Sequence, residues 1–340
     1  SDITDVVEEH FGLRAGAVIT LLYFLAIFPI LLIYSVALTN TVGSFMLNQM
    51  HITPPPRAIL SLVLILGLLI VVRCGEQVIV KAMSMLVYPF IVALLFLAVF
   101  LIPHWNGGIL STATTLPAPS VLLHTLWLAI PVMVFSFNHS PIISAFAVDQ
   151  KRRYGANADE RSSQILSRAH LLMVVMVLFF VFSCVLTLSP EQLAEAKAQN
   201  LSILSYLANH FSNPTIAFAA PLIAFVAIAK SFLGHYIGAS EGLKGLVLKT
   251  GKRPGTKSLD RMTAAFMLVV CWAVATLNPS ILVMIETLGG PVIAAILFLM
   301  PMYAIRRVPA MRQYSGQISN VFVTVIGLIA ISSLVYSLIP

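Results

Sequence analysis

Charge is what this chain has least of. Only 10% of its 340 residues are Asp, Glu, Lys or Arg, against 59% hydrophobic, and the mean hydropathy is +0.96. A soluble domain carries about 25% charged residues, so this composition excludes a water-soluble globular protein. Cysteine is also scarce. Cys74, Cys184 and Cys271 lie in or beside apolar runs without paired spacing, which reads as small buried hydrophobes and excludes a disulfide framework. There is no Walker A loop, no redox or metal-ligand cluster and no nucleophile elbow. Nucleotide-driven pumping and membrane-embedded hydrolysis therefore have no residues to carry them. Residues 1–12 (SDITDVVEEHFG) lack the basic-then-apolar order of a signal peptide. They read as a short amphipathic helix, with Val6, Val7 and Phe11 as its apolar stripe, leading into a longer apolar run.

What is abundant is apolar length. A membrane-spanning helix needs about 20 predominantly apolar residues. Nine candidates occur, at 15–47, 57–72, 77–102, 120–148, 164–188, 214–248, 262–277, 279–305 and 320–339. The fold class expected is an all-α, multi-pass membrane protein. The net charge of +7 does not point to nucleic acid, because the positive residues are sorted by loop. Lys151, Arg152, Arg153, Arg161 and Arg168 follow the fourth segment. Lys244, Lys249, Lys252, Arg253, Lys257 and Arg261 follow the sixth, and Arg306, Arg307 and Arg312 the eighth, while Arg73 and Lys81 sit at the second connection. The alternate loops hold only Arg57 and Lys197. Lys and Arg mark the cytoplasmic side, which places residue 1 inside and residue 340 outside. In the outer loop at 190–213, two short helices near 191–199 and 203–210 compete with a plain structured loop.

The fourth segment carries Phe135-Ser136-Phe137-Asn138-His139-Ser140-Pro141 at its centre. Pro141 has no N–H and disfavours helix for the residue before it. A break at membrane depth is tolerated only where it is buried in protein or lines a cavity, and such breaks build the substrate sites of secondary transporters. Ser136, Asn138 and Ser140, beside freed backbone groups, are placed for ligand contacts. His139 and His235 are either proton carriers or neutral imidazoles satisfied by a carbonyl.

Two further charges are embedded. Lys230 lies midway along 214–248, on a stripe with Gly234, Gly238 and Gly242 that steps by four, and Glu241 shares that face. A central Lys costs roughly 3 kcal/mol on insertion scales, so it faces protein and not lipid. It is either a proton-loading group or a permanently paired ammonium. Glu286 precedes Gly289-Gly290-Pro291, a second candidate break, and serves either as a proton site or as an acceptor for freed N–H groups. Tyr34 and Thr39-Asn40 offer a ligand contact or helix packing. Trp105 reads as an interfacial anchor, and Phe179, Phe180 and Phe182 as packing or lipid-facing residues.

Several runs are similar, in order, to the bacterial hydroxy and aromatic amino acid permease family. They are Val132 through Ser144, Ala194-Glu195-Ala196-Lys197-Ala198-Gln199-Asn200, Lys230-Ser231-Phe232-Leu233-Gly234-His235-Tyr236 and Glu241-Gly242-Leu243, and the likeness extends from Val7-Glu8-Glu9-His10-Phe11-Gly12 to 321–331. Its serine and threonine proton symporters look nearest. The resemblance implies a LeuT-type fold of two inverted five-helix repeats plus an extra helix, within which the nine segments stand as the third to eleventh. One transmembrane domain then comprises a lead-in at 1–14, the rest of the first repeat at 15–102, the second repeat at 120–305 and an extra helix at 320–339. The first two helices are missing from this correspondence, so the chain is expected to be N-terminally incomplete. An upstream reading frame encoding two apolar spans is the observation to seek.

The resemblance further implies substrate contacts from Ser136, Phe137, Asn138, His139, Ser140, Tyr34 and Ser231, and proton coupling through Lys230, Glu286 and His235. In sodium-coupled relatives of the fold, the eighth helix helps hold the ion. Lys230 falls on that helix, so protons are expected in sodium's place. The expected function is proton-driven symport of L-serine, or of threonine, into the cytoplasm of a bacterial inner-membrane permease. It would use no cofactor beyond the proton gradient and no partners beyond the amino acid, protons and lipid. The oligomeric state is left open. Cysteine or an aromatic amino acid is the alternative substrate. A gated channel and a non-transporting structural subunit are the rival functions.

Overall fold

The computed structural model describes residues 3–73, 76–106, 117–211, 213–249 and 255–337. Cys74, Lys252, Arg253 and the side chain of Ser140 lie outside the described residues. Every regular element among those described is helical. Among the described residues, seven helices are long and apolar enough to cross a membrane, and the apolar helices Arg57–Val72 and Ile318–Ser333 are shorter. The elements are α1 (Ile3–Asn48), α2 (Arg57–Val72), α3 (Glu76–Leu101), α4 (Pro119–Ser136), α5 (Ser140–Tyr154), α6 (Ala158–Thr187), α7 (Pro190–Ala198), α8 (Ile203–His210), α9 (Pro214–Lys249), α10 (Thr256–Leu277), α11 (Ile281–Arg307) and α12 (Ile318–Ser337). They form two compact units. The first holds Ser1–Ile33, Pro117–Ser144 and Gly234–Pro340, and the second holds Tyr34–Leu116 and Ala145–Leu233.

In the first unit, α1 breaks at Gly12, whose φ of +84° only glycine adopts readily. The lead-in turns so sharply that a Cβ on Gly16 would lie 2.7 Å from Glu8 Cβ. Val7 is buried and the Phe11 ring lies 5.7 Å from that of Tyr303, while Val6 is exposed. The expected apolar stripe is therefore only partly used. Beyond the break α1 is a core helix, with Ile27, Ile30 and Leu31 at 1% exposure or less. It runs antiparallel to the end of α9, where Gly242 meets Phe24 and Gly245 meets Thr20.

Helices α4, α11 and α12 pack together in this unit. Trp127 on α4 donates its indole N–H to Ser332 Oγ on α12 at 2.9 Å. A Cβ on Gly290 would lie 2.6 Å from Pro131 Cβ, and one on Gly327 would lie 2.8 Å from Phe298 Cβ. The expected break at Gly289-Gly290-Pro291 does not open the chain. Instead, α11 stays helical and widens into π turns at Ile285–Gly289 and Ala295–Leu299. Pro291 cannot donate, and in a regular helix its ring would strike the carbonyl of Thr287. A π turn ending just before it relieves that collision without unwinding the helix. The α10–α11 turn closes through Asn278 in the left-handed conformation, φ +54°.

In the second unit, the 190–213 segment does form two helices. Ser189 caps α7 with a full capping box through Gln192, and Ser202 caps α8. Their apolar faces join the ends of α3 and α6 in one core of Leu101, Cys184, Leu188, Ala196, Tyr206 and Leu207. Asn106 ties the end of α3 to α6, donating to Thr187 O at 3.0 Å. Polar side chains dock α8 on the C-terminal half of α1. Asn40 donates to Asn200 O at 2.8 Å, and Asn209 donates to Ser44 Oγ (3.0 Å) and accepts from Gln49 Nε2 (2.9 Å).

Candidate functional site

The interruption of the fourth apolar segment is real and narrow. α4 ends at Ser136, Phe137 to His139 are non-helical, and α5 begins at Ser140 with Pro141 in its first turn. Proline is tolerated there because a first-turn N–H would have no partner in any case. The chain leaves α4 through two short backbone bonds, Phe137 N–H to Met133 O at 3.2 Å and Asn138 N–H to Phe135 O at 3.1 Å. His139 is half-buried, with Nδ1 2.8 Å from Phe137 O, so its ring is held across the break. Asn138 and Phe137 are also half-buried. Ser136 is exposed, and its hydroxyl donates to Val132 O, one turn back, at 2.8 Å.

Three neighbours wall the end of α4 in the first unit. Val132 and Phe135 pack on Ile33 of α1 and on Met284 and Ile285 of α11. Glu286 follows Ile285 directly, in the π turn, and is half-buried. The break and Glu286 therefore sit on packed, adjacent elements. His235 is half-buried on α9 in the same unit. Among the described residues, Glu286 takes part in none of the ion pairs.

In the second unit, Tyr34 and Ser231 are joined by a side-chain hydrogen bond between α1 and α9. Lys230 is half-buried beside Ser231, next to the fully buried Phe232. It too forms no ion pair among the described residues. Of the stripe below it, Gly238 and Gly242 are buried while Glu241 is exposed. Helix periodicity put Glu241 on the lysine's face, but the packed line follows the small residues, which let a neighbouring backbone close in.

Two polar clusters escaped the sequence reading. Lys249 Nζ lies 2.9 Å from Glu8 Oε2 and also donates to Thr20 Oγ1 at 2.9 Å. The acidic lead-in and the basic end of α9 were each visible, and their opposite signs were the signal. In the second cluster, Tyr206 donates to Glu195 Oε2 at 2.6 Å and stacks on His210 at 3.9 Å, with His210 Nε2 3.7 Å from the same oxygen. Burial first, and then the Glu195 carboxylate, push the Tyr206 phenol up to about 12.

The model of the tryptophan/tyrosine permease family matches residues 1–336. This chain belongs to the tryptophan/tyrosine permease family. Among its relatives is the serine transporter SdaC of Escherichia coli strain K12, 65% identical over 344 residues, which cover 99% of this chain and 80% of that protein. The SdaC of Shigella flexneri is 64% identical over the same shares. No solved structure matches the permease. The family is one of permeases and not of enzymes, and the long apolar helices make this member a multi-pass membrane protein.

Proposed function

We propose that this permease carries L-serine into the cytoplasm together with protons, across a bacterial inner membrane. The observation that carries the reading is a polar helix break at Phe137–His139 in a chain 65% identical to a serine transporter. The seven long apolar helices, with the two shorter ones, support nine spans arranged as in LeuT-type transporters. Residue 1 then lies in the cytoplasm and residue 340 in the periplasm, following the Lys and Arg loops.

A zwitterionic substrate needs a partner for each charge. The first N–H groups of α5 have no intrahelical acceptors, and the helix end carries partial positive charge. Both favour the substrate carboxylate, as discontinuous helices do in transporters. The carbonyls freed at Phe137 to His139 can accept hydrogen bonds from the ammonium, and Asn138 can bond the substrate hydroxyl. His139 restrains the break, and the family resemblance nominates Tyr34 and Ser231 of the second unit as further substrate contacts. Lys230, Glu286 and His235 are the proton carriers, with Lys230 standing where a bound cation would otherwise be needed. The family is named for aromatic amino acids, but relatives at 64–65% identity are named for serine, which favours the smaller substrate.

The test is uptake of labelled L-serine into proteoliposomes under an inward proton gradient, with and without sodium. Saturable, gradient-driven, sodium-indifferent uptake is expected, competed by serine and not by tryptophan. Lys230→Ala should lower gradient-driven uptake by at least about a hundredfold, as loss of a proton-transfer group does. Undiminished uptake in that variant removes Lys230 from the mechanism.

A further inference from the structure

The junction of α11 and α12, in the first unit, is not closed. A cleft of about 350 Å³ is lined by Met302, Ile305 and Arg306 at the end of α11, by the Ser315–Gln317 turn, and by Asn320, Val321 and Thr324 at the start of α12. Its electrostatics are one-sided. Arg306 is exposed and forms no ion pair among the described residues, while Arg307 instead stacks 5.7 Å over the Tyr303 ring. The sequence contains no Asp or Glu after Glu286, and none of the residues lining the cleft is acidic. The first turn of α12 adds its partial positive charge to the same cleft.

Its other wall is apolar and continues away from the charge. Val321, Val325 and Leu328 lie along α12 and are 64%, 46% and 55% exposed. Such a row on a membrane helix faces acyl chains. A cation at the mouth and an apolar strip running from it fit an amphiphile with an anionic head. Basic pockets between membrane helices on the cytoplasmic side take such headgroups.

We infer that this cleft holds an anionic phospholipid of the surrounding bilayer. Its phosphate meets Arg306, with Gln317 and Asn320 as neutral donors, and one acyl chain lies along Val321, Val325 and Leu328. The inference rests on the reading of the 306–312 loop as cytoplasmic, because only there does the chain length run into the membrane from a positively charged surface.

Native mass spectrometry of the detergent-purified protein, titrated with phosphatidylglycerol or phosphatidylethanolamine, tests it. Wild type should retain one phosphatidylglycerol through washing and release phosphatidylethanolamine. Arg306→Gln should weaken retention roughly fivefold, and Arg312→Gln, outside the cleft, less than twofold. Thr324→Trp should remove the adduct by filling the cleft without changing charge. Inorganic phosphate at millimolar concentration should not displace the lipid. Equal retention by wild type and Arg306→Gln overturns the site, and displacement by phosphate shows an anion site without a lipid. Lost serine uptake with lipid retention intact counts against the transport reading alone.

Discussion

Single residues decide more here than composition suggests. At Gly290 an added methyl group would meet the backbone of Pro131, whereas a Cβ at Gly67 meets nothing within 4 Å. Gly290→Ala is therefore expected to destabilise by about 1–3 kcal/mol, as overpacking does, and Gly67→Ala to be neutral or slightly stabilising in a helix interior. Thermal unfolding in detergent checks the pair. Tyr206 gives a pH prediction. Its folded phenol titrates near 12, above its ordinary range, so its contribution to stability is complete below about pH 10 and is lost as pH rises toward 12. Tyr206→Phe should cost about 1 kcal/mol at neutral pH and flatten the loss of stability between pH 10 and 12. The sequence made one class of residue legible. Pro141 acts on its own chain, so the break at Phe137–His139 could be read locally. Gly290 acts on a residue far away in the chain, and nothing local marks it. Ser136 could be read as a polar group beside the break, but not the bond of its hydroxyl to Val132 O one turn back.

At the scale of elements, legibility followed the same line. Long apolar runs with caps and prolines at their ends gave most helix ends to within about six residues. What periodicity could not supply was the response of α11 to Gly289-Gly290-Pro291. Glycine and proline signal disturbance, but π turns and unwinding satisfy the same constraint, and the packing of Gly290 on Pro131 keeps the helix closed. The lead-in helix is a second case. It is held against α9 by Glu8, Lys249 and Thr20, with Lys249 at 15% and Glu8 at 32% side-chain exposure. A half-buried pair of this kind is worth about 1–2 kcal/mol. Lys249→Met should lower the thermal midpoint by a few degrees and raise proteolysis within residues 1–12. Glu8→Lys with Lys249→Glu should restore both, and failure of the swap to rescue either would assign the loss to packing alone.

Across the whole molecule, function turns on where polarity is allowed. The bilayer excludes charge, so the few polar groups at depth stand out: a broken helix with Asn138 and His139, a tyrosine–serine pair between α1 and α9, Lys230, and Glu286 in a π turn. Family membership makes the chain a permease. The proposed mechanism rests on the polar interruption at Phe137–His139. Serine binding to the purified protein, measured by titration calorimetry for wild type and for Asn138→Leu, tests this most directly. Saturable L-serine binding by wild type is predicted, with affinity at least about tenfold weaker in Asn138→Leu and an unchanged thermal midpoint. Equal affinity for serine in the two proteins would contradict the assignment of the substrate site to the break.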